Sequence, residues 1–203
     1  EPLVLLFTGL SYMNDKKFDP KKLHKLNNPQ RLEDIPPDYI WHRLNMEKAD
    51  ILVEIGAGTA FFSIAFLQHA KPSKIYACDV SEIMIDWIKT NVVPKYPDII
   101  PVKTEENSIP LDDQIADLVF MIALHHELDN PTLILEESYR LLKPAGNILI
   151  VDWKKKDMPE GPPVEIRYLP EQVSKQVIDS GFKDVTVVDE LPKHFLVFGK
   201  KGS

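Results

Sequence analysis

An α/β fold is predicted: a doubly wound, mostly parallel seven-stranded sheet with a C-terminal antiparallel hairpin strand. Short, nearly continuous aliphatic runs alternate with segments of helical period through most of the chain. The last two strand-like runs flank Leu191-Pro192-Lys193, a turn that suits a hairpin. At 203 residues the chain fits one domain with embellishments, about 150 residues being the usual domain prior.

Up to about Asn28, lysines mix with Phe18, Asp19 and Pro20 without a sustained period, so a loosely structured covering arm is expected. Residues 1–35 are assigned to this arm or lid and residues 36–200 to the folded domain. Pro36-Pro37 suits the first turn of a helix, which Ile40, Trp41 and Leu44 continue toward Met46. Residues 50–56 (DILVEIG) read as a strand buried on both faces, hence the central one. A helix follows from Thr59-Ala60 to Ala70, ended by Lys71-Pro72-Ser73. Strand 74–79, a helix capped by Ser81 and running to about Asn91, and strand 99–103 repeat the unit. Strand 116–123 precedes a helix over about 131–142, and Lys143-Pro144-Ala145-Gly146 turns into strand 147–152. After a proline-rich loop at 158–163, helix 170–180 is closed by Gly181, and strands 185–188 and 195–198 form the hairpin.

The composition narrows the function classes. Hydrophobic residues at 44% and charged residues at 27% are the ordinary globular balance. A net charge of -7 lacks the basic excess that phosphate neutralisation requires, so no nucleic acid is expected as main partner. Cys78 alone cannot form an internal disulfide or a thiolate metal cage, and a lone thiol fits a reducing, cytoplasmic location. No apolar run approaches the roughly 20 residues of a membrane span, the nearest being Leu3 to Leu10.

In doubly wound sheets ligands bind beyond the carboxyl ends of the strands. The first strand ends in Glu54-Ile55-Gly56-Ala57-Gly58-Thr59, where Gly56 and Gly58 allow a tight turn and close backbone approach to a ligand. The second ends in Asp79, placed to accept hydrogen bonds from both hydroxyls of a ribose. No Gly-Lys-Ser/Thr follows the glycines, which excludes a phosphate loop. Two adenosine-type ligand classes share this geometry, nicotinamide or flavin dinucleotides and S-adenosylmethionine. Phe61 stands where a dinucleotide site places its third glycine, and Glu54 suits a cationic ammonium better than a diphosphate.

The runs VEIGAGTAFFS, ACDVS, EENSIPLDDQIADLVFMIALHHEL and LLKPAGNILIVDW, within a match from about Phe18 to Gly199, resemble the class I S-adenosylmethionine-dependent methyltransferases. The resemblance is to the type 11 group, which includes ubiquinone and menaquinone biosynthesis methyltransferases. It implies a Rossmann-like sheet, S-adenosylmethionine as cofactor and a small-molecule methyl acceptor. It also implies that Glu54 and the Gly56-Ala57-Gly58 turn face the methionine part and Asp79 the ribose. Val80 and Met84 would lie on the adenine faces, and Glu105 or Glu106 with Asn107 at the adenine amino edge. Ala123, Leu124 and His125 would close over the sulfonium side. Ala60 departs from the family, which commonly has a third glycine there.

His125 and His126 follow the fourth strand, where an active-site base would sit, with His126 the first candidate and His125 the second. Adjacent residues project differently and lack the i, i+4 spacing of zinc helices, so no metal site is expected. Trp153 with Lys154, Lys155 and Lys156 either greets an anionic acceptor or is a solvated charge run. Trp41, His42 and the Phe18 region form a candidate lid, and Pro162, Pro163, Val164 and Tyr168 an apolar-lined one. The single cysteine argues against the chemistry of the arsenite-methylating relatives. Two rival functions share the sheet: an NAD(P)-dependent oxidoreductase, and a non-catalytic module that only binds S-adenosylmethionine.

Overall fold

The computed structural model describes residues 23–46 and 48–202. Three helices, α1 (Leu23–Leu26), α2 (Gln30–Asp34) and α3 (Pro37–Leu44), precede the sheet. Then come β1 (Ile51–Ile55), α4 (Phe61–Ala70), β2 (Lys74–Asp79), α5 (Glu82–Asn91), β3 (Ile99–Lys103) and β4 (Ala116–Ile122). The chain continues through α6 (Pro131–Leu141), β5 (Leu142–Trp153), α7 (Pro170–Asp179), β6 (Lys183–Val188) and β7 (His194–Lys200). Single 3-10 turns occupy His125–Glu127 and Val164–Ile166.

All seven strands form one sheet in the order β3-β2-β1-β4-β5-β7-β6. The first five pair in parallel, and β7 runs antiparallel to both β5 and β6. Its reversed direction brings His194, the first residue of β7, opposite Trp153, the last of β5. An amino end is thereby placed among carboxyl ends.

Side chains alternate across the strands, so each face has its own core. On one face Leu52, Leu118, Phe120, Leu149, Val151 and Leu196 pack with Ile40 of α3 and Phe62 and Phe66 of α4. Phe66 and Phe120 meet with ring centroids 4.8 Å apart. On the other face Val53, Val119, Met121, Ile148 and Ile150 pack with Leu135 of α6 and Val173 and Val177 of α7. Central strands buried on both sides read as continuous apolar runs, which is why residues 50–56 stood out.

Three local expectations are corrected. Residues 23–26, within the stretch expected to be loose up to about Asn28, form α1; residues 1–22, with Phe18, lie outside the described residues. The turn at Lys143-Pro144-Ala145-Gly146 is flanked by pairing on both sides, Leu142 with Ala116 and then Asn147 with Leu118, so it is an excursion within β5. Ser81 makes no side-chain cap; its N–H is instead accepted by Asp79 Oδ1 at 2.8 Å. Among the described residues no helix is long and apolar enough to cross a membrane.

Ala60 has φ 58°, the left-handed conformation at the position where the resembling family has glycine, and is fully buried. Left-handed backbone costs an alanine about 1–2 kcal/mol, while its buried methyl contributes about 0.8 kcal/mol that glycine would forgo. Ala60→Gly is therefore expected to stay within about 1 kcal/mol of wild type in urea unfolding. A loss above about 2 kcal/mol would show that the methyl packs better than this balance allows.

Candidate active site

The turn after β1 is built for close approach. Gly56 and Gly58 have φ of 70° and 55°, and the Ala57 N–H is accepted by Cys78 O of β2 at 2.9 Å. A Cβ at Gly56 would lie 2.6 Å from Leu124 Cδ1, so Leu124, from the loop after β4, covers this glycine. A Cβ at Gly58 would lie 3.1 Å from Leu26 Cδ1, which puts α1 over the same turn. Asp79 holds the turn from the side: Oδ2 accepts the Gly58 N–H at 2.8 Å while Oδ1 accepts that of Ser81. The Val80 N–H also bonds this carboxylate, so of its roughly four lone-pair sites about one stays open. Burial raises the Asp79 pKa, against the lowering effect of these N–H groups.

Glu54 is 3% exposed and accepts a hydrogen bond from Ser63 Oγ of α4. Burial pushes its pKa up to about 8, although Ser63 and the Arg31 charge pull the other way. Arg31 of α2 lies over the Phe62 ring at 4.7 Å and the Phe61 ring at 5.4 Å, and its Nη1 donates to Leu26 O at 2.6 Å. Burial lowers its pKa to about 10, partly offset by Glu54. An acid and a base thus sit beside one glycine turn in surroundings that favour neither charge.

The other candidates fall at different depths. Val80 is exposed at the end of β2, whereas Met84 is buried on α5. Glu105, Glu106 and Asn107 are exposed in the turn after β3, where Thr104 N–H is accepted by Asp79 O at 3.1 Å. Ala123 has φ 56° and is tied to β5 through Val151 O at 2.8 Å. Trp41 meets Phe66 edge-on at 6.2 Å and so anchors α3 to the core, while His42 is exposed.

The two histidines after β4 differ in kind. His125 is fully buried, and its Nε2 lies 2.7 Å from Gln176 Oε1. That oxygen can only accept, so Nε2 carries the proton and Nδ1 is bare. Burial lowers the His125 pKa. His126 Nδ1 lies 2.7 Å from Asp152 Oδ1, and the His126 backbone N–H donates to Oδ2 at 2.8 Å. The same reasoning protonates Nδ1 and leaves Nε2 with its lone pair, 3.7 Å from Glu127 Oε1 and beyond hydrogen-bond reach. Burial alone would lower the His126 pKa, but the Asp152 hydrogen bond and charge raise it overall.

The lysine run is engaged within the protein. Lys154 pairs with Asp189 at 2.8 Å, Lys155 donates to Glu165 O at 3.3 Å and Lys156 to Pro192 O at 2.8 Å. The adjoining loop is held by Arg167, 4% exposed, which donates to the carbonyls of Lys154, Lys156, Glu160 and Pro162.

Arg31, Thr59, Ser63, Asp152 and His194 went unrecognised in the sequence. Asp152 was within reach, since it ends the strand read at 147–152 as Asp79 ends that at 74–79. Four buried side-chain polar atoms lack a partner among the described residues: Thr59 Oγ1, His125 Nδ1 and both ring nitrogens of His194. All lie along the carboxyl edge of the parallel strands.

Residues 53–150 match the family model described as a methyltransferase domain. The chain is similar to a SAM-dependent methyltransferase from Aquifex aeolicus, with 34% identity and a TM-score of 0.83 over 91% of this chain and 100% of that one. An uncharacterised methyltransferase-like protein of Schizosaccharomyces pombe is 31% identical over 120 residues, 59% of this chain and 44% of that protein. A tRNA N(3)-cytidine methyltransferase of Gallus gallus is 24% identical over 136 residues, 64% of this chain and 36% of that protein. The chain thus spans less than half the length of these two curated relatives.

Glu54 makes stability depend on pH in a stated direction. Its folded pKa of about 8 lies above the ordinary 4.5, so between these values the folded state binds more protons than the unfolded one. That stabilising contribution is fully present below about pH 4.5 and is lost as pH rises toward 8. Thermal melts of the unliganded protein are expected to fall in Tm from pH 5 to about 8 more steeply than those of Glu54→Gln. Parallel profiles would mean that Glu54 is charged throughout.

Proposed function

We propose that this chain, which belongs to the class I S-adenosylmethionine-dependent methyltransferases of the type 11 group, moves a methyl group from S-adenosylmethionine to a small-molecule acceptor. The observation that carries the reading is the buried Glu54 carboxyl, set beside the Gly56–Gly58 turn and near the Arg31 guanidinium. The methionine end of the cofactor is a zwitterion, and the two side chains are its complement, Glu54 for the ammonium and Arg31 for the carboxylate. Positive φ at both glycines and the orphaned Thr59 hydroxyl beside them also fit a ligand lying on the turn. Asp79, with lone-pair capacity left beyond its backbone hydrogen bonds, takes the ribose. Val80 and Met84, with Glu105, Glu106 and Asn107, serve the adenine end, and Ala123 and Leu124 the sulfonium end.

Bound S-adenosylmethionine supplies a methyl group already activated on a sulfonium. The chain's own residues then have to align the acceptor, exclude water and take a proton where the acceptor has one to lose. His126 fits that last role, because Asp152 fixes its base tautomer and favours the imidazolium that forms. His125 is committed to Gln176 and positions the loop. The dinucleotide alternative is disfavoured by Phe61, which lies under Arg31, and by a buried carboxyl where a diphosphate would come close.

Calorimetric titration of the purified chain with S-adenosylmethionine and S-adenosylhomocysteine, with NADH in parallel, tests the cofactor class. Micromolar binding of the first two is expected, weakened by about 1.5–3 kcal/mol in Asp79→Ala. Binding of NADH alone would overturn the reading.

Methyl transfer is then screened with catechols, small amides and unmodified tRNA. Turnover of a small acceptor should fall about 10²–10⁴-fold in His126→Gln with cofactor affinity unchanged. In wild type it should rise as pH passes upward through the raised His126 pKa and the base form accumulates. Transfer to tRNA alone would replace the small-molecule acceptor with the substrate class of the Gallus gallus relative.

A further inference from the structure

His194 is 2% exposed, and neither ring nitrogen has a hydrogen-bond partner among the described residues. It opens β7 opposite Trp153, whose ring centroid lies 4.3 Å from its own. Both residues alternate onto the α3/α4 face of the sheet, with Leu196 and Val151. Glu54 shares that face, alternating with Leu52. Three segments converge beside His194: Lys193 of the β6–β7 turn pairs with Asp34 of α2 at 2.9 Å and with Glu160 of the β5–α7 loop at 2.6 Å. The charges that act on the ring are Asp152, Asp34, Arg31 and Lys193. Asp152 is bonded to His126, Asp34 to Lys193, and Arg31 is shared between Leu26 O and the field of Glu54.

A buried imidazole without a partner among the described residues is a costly feature that folding alone does not explain. Here it stands at the ligand edge, on the same face as Glu54 and one strand beyond the end of β5. We propose that His194 is an acceptor-binding residue, whose ring hydrogen-bonds an uncharged hydroxyl- or amide-bearing methyl acceptor lying against Trp153. The inference rests on the methyltransferase reading above. Asp34 is paired with Lys193, Asp152 is hydrogen-bonded to His126 and Arg31 is assigned to the cofactor carboxylate, which leaves none of these charges to pair with an ionic acceptor. Burial lowers the His194 pKa to about 4, so the ring is neutral and offers one donor and one acceptor. An uncharged group with an O–H, N–H or C=O satisfies it, and His126 stands next along the edge to take a proton.

The test uses the full chain, ring-¹⁵N-labelled at histidine and saturated with S-adenosylhomocysteine, titrated separately with catechol and with nicotinamide. One of these probes is expected to move both His194 ring-nitrogen resonances while exposed His42 stays still. His194→Leu should weaken that probe at least tenfold, keep S-adenosylhomocysteine affinity within twofold and leave Tm unlowered. His194→Gln, which retains a donor and an acceptor, should recover part of the probe affinity. Two outcomes overturn the proposal: silence of His194 toward both probes, or a drop in Tm above about 5 °C in His194→Leu, which would mean the ring is bonded within the fold. Failure of wild type to bind S-adenosylhomocysteine would sink the methyltransferase reading instead, and the Tm comparison would still decide whether His194 lacks internal partners.

Discussion

A carboxyl group buried at the end of the central strand governs the arrangement around it. Glu54 cannot hold its charge there without help, because moving a carboxylate out of water costs several kcal/mol unless it is paired. The protein answers with a hydroxyl from α4 and a guanidinium from α2 that is itself desolvated. The two partners do not offset its burial, since the pKa stays near 8 and the carboxyl keeps its proton at neutral pH. What remains is a site that becomes more favourable when a cation arrives. That requirement also explains why α2 lies against the first turn of α4, with Arg31 stacked on Phe61 and Phe62.

Asp79 works differently, through geometry more than charge. It joins the glycine turn to the start of α5 by taking one N–H from each, so β1, β2 and two connections share one rigid corner. A similar bracket holds the loop after β4, where Asp152 binds the ring and the backbone of His126 at once. In both cases a carboxylate at a strand end fixes the residue or turn that would meet the ligand.

Much of this was legible in the sequence. The β1 run, Glu54, the glycines and Asp79 announce themselves because parallel strands are apolar throughout and their carboxyl ends are close in sequence to what they present. Arg31 was hidden because residues 23–35 lack a sustained period; α1 and α2 are four and five residues long, too short to show one. His194 was hidden by topology. Only the antiparallel setting of β7 brings an amino end to the ligand edge, and residue order alone does not announce it. The choice between His125 and His126 needed hydrogen-bond partners, Gln176 and Asp152, that are 51 and 26 residues away.

The placement of β7 also bears on how the chain comes together. Residues 146–152 of β5 are all buried, and β7 covers the side of β5 that faces away from β4. During synthesis from the amino end, β5 emerges about forty residues before its second neighbour does. For that interval the growing sheet ends in a long apolar edge with unpaired N–H and C=O groups, the kind of edge that recruits strands from other chains. The last seven-residue strand is therefore a seal against self-association as well as the element that carries His194.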